Sequence, residues 1–127
     1  MPVHGIVVNV IAPSAKDDAV VIKVNGYLDT TTAAELEEAL FELLKKEHYR
    51  VVVDLSEVIY ISSAGWGIFI GEIKEMRNRG GDLKLAGMTG DVFEVFQLLE
   101  FQSILNAYDT ADEAKASFAT QTGKKSL

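Results

Sequence analysis

Two adjacent hydroxyls, Ser62 and Ser63, stand where an apolar run gives way to helical spacing, in the segment Ile61-Ser-Ser-Ala-Gly-Trp-Gly67. Serine at such a junction has two ordinary uses. Its oxygen can accept from the free amides of the first helical turn, which is the capping role. Exposed among small residues, it can instead accept a phosphate, since the same amides and the helix dipole favour an anion. A third use, as a hydrolytic nucleophile, finds little support. Ser62-Ser-Ala-Gly65 lacks the leading glycine of a nucleophile elbow, and the only bases on offer are His4 near the start and His48 at the close of a surface helix. No residue is assigned a catalytic role.

Asp54, at the end of the run Val51-Val-Val-Asp54, has the setting of a receiver phosphoacceptor. A receiver also needs an acidic pair after its first strand and strict alternation of strands and helices, and this chain opens with two strands. Asp54 is therefore read as structural. Gly65, Gly67 and Gly71 resemble a stretched dinucleotide fingerprint, but on the wrong strand–helix unit and with Trp66 crowding any pyrophosphate. Close packing of helix on sheet explains those glycines better. With no cysteine and two histidines, disulfides, thiol catalysis and thiolate sites are excluded, no metal site is expected and no cofactor is implied.

Periodicity supplies the elements that hold the serines. Apolar runs at about 5–11 and 19–24, separated by the polar turn 13–18, read as strands that pair antiparallel because no helix lies between them. Asn25-Gly-Tyr-Leu-Asp29 is a turn. Thr30, Thr31 and Thr32 then open a helix whose buried face is Leu36, Leu40, Leu43 and Leu44, with Thr32 and Glu35 at capping-box spacing. Residues 51–54 form a buried strand, Ser56 and Glu57 turn the chain, and Val58 to Ile61 extend to the serines. The following helix carries Trp66, Phe69, Ile70, Ile73 and Met76 and ends at Gly80-Gly81. A short strand at 82–86, a helix carrying Val92, Val95, Phe96 and Leu99, a last short strand or extended segment through Phe101, Ile104, Leu105 and Tyr108, and a last helix from Thr110 to about Phe118 complete the order. The expected fold class is α/β: a mixed sheet opening with an antiparallel strand pair, with about four helices packed on it. The serines fall just beyond the C-terminal end of the central strand, where such sheets usually carry their sites.

A length of 127 residues and a composition 48% hydrophobic and 24% charged describe one soluble domain over 1–127, with an ordered core at about 5–118 and a small, polar, frayed tail at 119–127. Nineteen acids against twelve bases leave a net charge of −7, which disfavours nucleic acid and anionic lipid as partners. The start lacks the basic and apolar regions of a signal peptide and no stretch is long enough to span a bilayer, so a cytoplasmic protein is expected.

Three patches, in this order, resemble the STAS domain and specifically the stand-alone anti-sigma factor antagonists of bacteria. They are Gly26-Tyr-Leu-Asp29 before a threonine-rich helix start, Val51-Val-Val-Asp-Leu55 leading into Ser62-Ser-Ala-Gly-Trp-Gly67, and Arg79-Gly-Gly-Asp-Leu-Lys-Leu85 with the helix and Phe101 segment after it. The resemblance covers about residues 5–118. It implies a protein that performs no chemistry itself and binds an anti-sigma factor with serine kinase activity, freeing a sigma factor. Phosphorylation by that kinase ends the binding and a protein phosphatase restores it. Matched by position, the phosphoacceptor is Ser63, the partner-facing aspartate is Asp29, and the motif glycines are Gly65 and Gly67. Asp29, Ser62, Ser63, Gly65 and Trp66 make up the expected partner-binding set.

Two residues depart from the family pattern. Ser62 stands where the motif has Asp, which removes a charge and makes Ser62 a second candidate acceptor. Trp66 stands where the motif has Leu and either fills the core or anchors a partner. The alternatives to a switch are a non-phosphorylated STAS scaffold subunit in a signalling or lipid-transport assembly, and a receiver-like or small α/β enzyme.

Overall fold

Val20, Ile22 and Val24 point to one side of their strand and Ala19 and Val21 to the other, and this alternation divides the core into two layers. The computed structural model describes residues 5–11 and 19–125. Its elements are β1 (Ile6–Ile11), β2 (Val20–Leu28), α1 (Ala33–Lys45), β3 (Arg50–Ile61), α2 (Ser63–Asn78), β4 (Asp82–Ala86), α3 (Gly90–Leu98), a single 3-10 turn (Phe101–Ser103), β5 (Asn106–Tyr108) and α4 (Ala111–Lys125). The strands lie in the order β1-β2-β3-β4-β5, with β1 antiparallel to β2 and every later pair parallel. The mixed sheet expected from the opening strand pair is the observed one. The turn expected at 13–18 and His4 lie outside the described residues.

The thicker layer sits under α1, α2 and α3. Leu36, Leu40 and Leu43 of α1, Trp66, Phe69, Ile73 and Met76 of α2, and Val92 and Phe96 of α3 pack there on Val51, Val53, Leu55, Leu83 and Leu85. The thinner layer lies under α4, where Ala114 and Phe118 meet Val21, Val52 and Ala86. Lys84 is buried in this second layer; its Nζ donates to Ser117 Oγ at 2.6 Å and lies 4.1 Å from the centre of the Phe118 ring. At the opposite end of β4, the Arg77 guanidinium donates to the buried Asp82 carboxylate at 2.9 Å and to the carbonyl of Ile104, tying α2 to the segment before β5. No helix among the described residues is long and apolar enough to cross a membrane.

Several local expectations need correction. The turn expected at 25–29 is strand: β2 runs on to Leu28 and takes up the Asn25-Gly26 signal as register shifts on either side of it. Gly26 makes this possible, with φ +114° and the Gly5 carbonyl lying where a Cβ would stand. The turn expected at Ser56-Glu57 is likewise absent, because Val58 and Ile61 are buried and continue to pair with Gly26 and Leu28. Thr32 caps α1 without a side-chain bond to the helix, so the capping box with Glu35 does not form; its hydroxyl donates to Tyr27 O at 2.6 Å instead. Leu99 lies past the end of α3 and is half-exposed rather than inside. Phe101 enters the 3-10 turn, leaving β5 only Asn106–Tyr108, and α4 continues to Lys125.

Candidate functional site

The paired extension of β2 and β3 determines what stands at their common end. Leu28 is in register with Ile61, and the amide of Ser62 donates to the carbonyl of Leu28 at 2.8 Å. One residue later both chains leave the sheet, so Asp29 and the serines sit on neighbouring loops at the C-terminal end of adjacent parallel strands.

Asp29 is held by its own loop. Its Oδ1 accepts from the amide and hydroxyl of Thr31 at 2.9 and 2.7 Å and from the amide of Thr32 at 3.2 Å. Its amide in turn donates to the Thr32 hydroxyl at 2.9 Å. The Thr31 hydroxyl, followed by the backbone amides, holds the carboxyl below the usual aspartate range. A fixed, ionised carboxylate with a solvent-facing side therefore stands on the loop next to that of the serines. The threonine-rich helix start earns its place by ordering Asp29 rather than by capping α1 directly.

The serines divide the two roles that their position offers. Ser62 is the N-cap of α2, extended at φ −82° and ψ 173°, with Oγ accepting from Gly65 N at 3.4 Å and its carbonyl accepting from Trp66 N at 3.0 Å. Ser63 is the first residue of the helix and is exposed; among the described residues no hydrogen bond engages its hydroxyl. The capping work is thus done by Ser62, which leaves Ser63 Oγ free in the field of the α2 N-terminus.

Gly65 and Trp66 lie beneath this surface, not on it. A Cβ at Gly65 would stand 2.8 Å from Leu28 Cγ and 2.9 Å from Ile61 Cγ2, so the glycine lets α2 close onto both strand ends. Trp66 is 3% exposed. Its ring meets Phe69 edge-on at 6.0 Å and lies 6.0 Å from Phe96 and 5.0 Å from Phe101, with its Nε1 enclosed and, among the described residues, without a hydrogen-bond partner. Of the two roles open to Trp66, the fold selects the core. Gly67, by contrast, faces open space.

Two exposed residues that the apolar run concealed are Ile59 at 60% and Tyr60 at 51% exposure. They flank the serine loop and, with Ile61, Trp66, Asp91, Val92, Glu94 and Val95, line a groove of about 310 Å³ between β3 and α3. Strict alternation would have turned one of them inward; the register irregularity at Gly26/Tyr27 turns both outward. The signal was present only as a β-bulge across the sheet, which periodicity along one strand cannot reveal.

Among the described residues no acid–base pair is placed at Ser63. Half-buried His48 precedes β3, a full strand length from the serines that follow it. Asp54 lies within β3 rather than at its end, with Oδ1 accepting from Ser56 N at 3.0 Å. Among the described residues no cluster of acids and histidines could hold a metal ion.

The family model described as the STAS domain matches residues 11–114. An anti-sigma-B factor antagonist of Listeria monocytogenes is 32% identical over 102 residues, covering 80% of this chain and 90% of the relative. The crystal structure of an anti-sigma factor antagonist from Mycobacterium paratuberculosis superposes with a TM-score of 0.80 at 22% identity, covering 90% of this chain and 94% of the other. The phosphorylated form of the Bacillus cell fate determinant SpoIIAA superposes with a TM-score of 0.64 at 17% identity, over 85% and 96% of the two chains.

Proposed function

Since this chain belongs to the STAS domain family, we propose that it acts as an anti-sigma factor antagonist, binding an anti-sigma factor through the end of β2 and β3 and being released by phosphorylation of Ser63. The observation that carries this reading is the division of labour at the serine pair: Ser62 caps α2, while Ser63 is exposed at its first turn with an unengaged hydroxyl. Phosphate there adds roughly −1.5 to −2 charge at neutral pH beside the ionised Asp29 loop. The helix N-terminus tolerates that charge, so the fold persists. The partner does not, because it must either desolvate the phosphate or oppose it with like charge.

On this reading the chain is a substrate and not an enzyme: the anti-sigma factor is the serine kinase, a protein phosphatase resets the switch, and all three act in the cytoplasm. The curated relative named anti-sigma-B factor antagonist supports the partner class. The substitution of Ser62 for the motif acid removes a charge beside the acceptor but leaves a competent cap. Mass spectrometry of protein isolated from its own cells tests the switch directly. A phosphate on Ser63 supports it, and an unmodified serine pair under conditions that both activate and silence the sigma factor rejects it in favour of a scaffold.

A further inference from the structure

The outer side of β1 offers a second binding surface. Tyr27 N donates to Gly5 O at 2.9 Å, and the register with β2 holds a constant offset from Ile6↔Gly26 to Ile11↔Val21. Hydrogen-bonded and non-hydrogen-bonded pairs alternate along an antiparallel ladder. The backbone groups of Ile6, Val8 and Val10 therefore point away from β2. Among the described residues no strand lies on that side, since β1 is the edge of the sheet. The side chains of the same residues turn toward α1: Ile6 and Val8 pack against the core, and Val10 is left 48% exposed. They form the floor of a groove of about 450 Å³ whose wall is Glu35, Glu38, Ala39 and Glu42. Those acids fall at i, i+3 and i+7 and so run in one line along α1. An apolar floor, an anionic wall and an unpaired strand edge coincide.

We infer that this groove receives an extended, basic segment of a partner protein, which adds to the sheet beside β1 and directs lysine or arginine side chains toward α1. Strand addition satisfies the outward amides and carbonyls. The aliphatic stems of the cations cover Val8 and Val10 while their heads meet the carboxylates. Glu42 already has an exposed partner in Lys45 at 3.6 Å, so Glu35 and Glu38 carry most of the recognition. A second copy of this chain, pairing edge to edge, would bring two glutamate rows together and is disfavoured, as are anionic lipid and nucleic acid. The surface lies on the far side of β2 from the strand that delivers the serine loop.

The probe is a short peptide of alternating valine and lysine, with a valine–glutamate peptide as control, titrated against the isotopically labelled full chain. The lysine peptide is expected to slow hydrogen exchange at the amides of Ile6, Val8 and Val10, and the glutamate peptide to leave them unchanged. Glu35→Gln combined with Glu38→Lys is expected to weaken binding roughly tenfold or more. Val10→Pro removes an outward donor, spares the inward ladder and is expected to have the same effect. The inference is overturned if the lysine peptide gives no protection, or if the glutamate variant binds it as well as wild type. It is equally overturned if sedimentation shows a peptide-free dimer that Val10→Pro dissolves, because the occupant is then a second copy.

Discussion

The Ser62 amide donates to the Leu28 carbonyl at 2.8 Å, and this one bond fastens the start of the serine loop to the end of the strand that delivers Asp29. It closes the β2–β3 ladder after the Leu28–Ile61 pair. The site is thus a junction of two loops on a shared strand end, with Gly65 directly beneath it.

Gly65→Ala tests that junction. The added methyl would meet Leu28 Cγ and Ile61 Cγ2 at 2.8 and 2.9 Å, and such overpacking is expected to cost about 1–3 kcal/mol. Urea denaturation is the measurement. Gly67→Ala, where a Cβ meets nothing, is the control and is expected to be neutral or mildly stabilising in the helix, by up to about 1 kcal/mol.

Trp66→Leu tests whether the tryptophan belongs to the core. Its ring packs on Phe69, Phe96 and Phe101, so truncation is expected to lower stability by about 1–3 kcal/mol, moderated because the enclosed Nε1 makes no hydrogen bond to lose. Affinity for the anti-sigma factor should change by less than about threefold, and wild-type emission should be that of a dry indole with or without partner. A large loss of affinity at unchanged stability would return Trp66 to the interface.

Glu72 gives a pH signature. Among the described residues one of its carboxylate oxygens is enclosed without a partner, and burial, then the charges of Glu37 and Glu75, raise its pKa. A carboxyl whose pKa is raised on folding favours the native state when protonated, so that contribution is full below the ordinary glutamate range and is lost as pH rises through the raised value. Glu72→Gln is therefore expected to be more stable than wild type at neutral pH, with the difference closing in acid. Part of the side chain reaches solvent, and screening keeps the gain under about 1 kcal/mol. Equal midpoints for the two proteins at neutral pH would refute it.

Much of this fold was legible because its strands are β-branched and its helices keep a clear apolar stripe: Val51 to Val53 and the leucines at 36, 40 and 43 are buried as their spacing required. What misled were residues whose local preference yields to pairing across the sheet. Asn25-Gly26 and Ser56-Glu57 read as turns, yet both lie inside long strands because Val58 and Ile61 gain more from burial than the turns would supply. The serine pair was recognisable as a strand–helix junction, but the assignment of Ser62 to the cap and Ser63 to the surface depends on where α2 begins by a single residue. Nothing along the chain distinguished a buried Trp66 from an exposed one, since its neighbours Phe96 and Phe101 come from elements far away in sequence.

The most direct measurement is the affinity of the cognate anti-sigma factor for Ser63→Asp, alongside the folding stability of the same variant. Stability is expected to stay within about 1 kcal/mol of wild type, because a negative charge at the first turn of α2 is tolerated. Binding is expected to weaken at least about tenfold, or roughly 1.4 kcal/mol, while Ser63→Ala binds as wild type and resists inactivation by the kinase and ATP. Ser62→Ala is the control for the neighbouring hydroxyl: it should lose cap stability, about 1 kcal/mol, yet still incorporate phosphate. Phosphate uptake blocked by Ser62→Ala and unaffected by Ser63→Ala would move the acceptor to Ser62. Wild-type affinity in a correctly folded Ser63→Asp would contradict the switch itself.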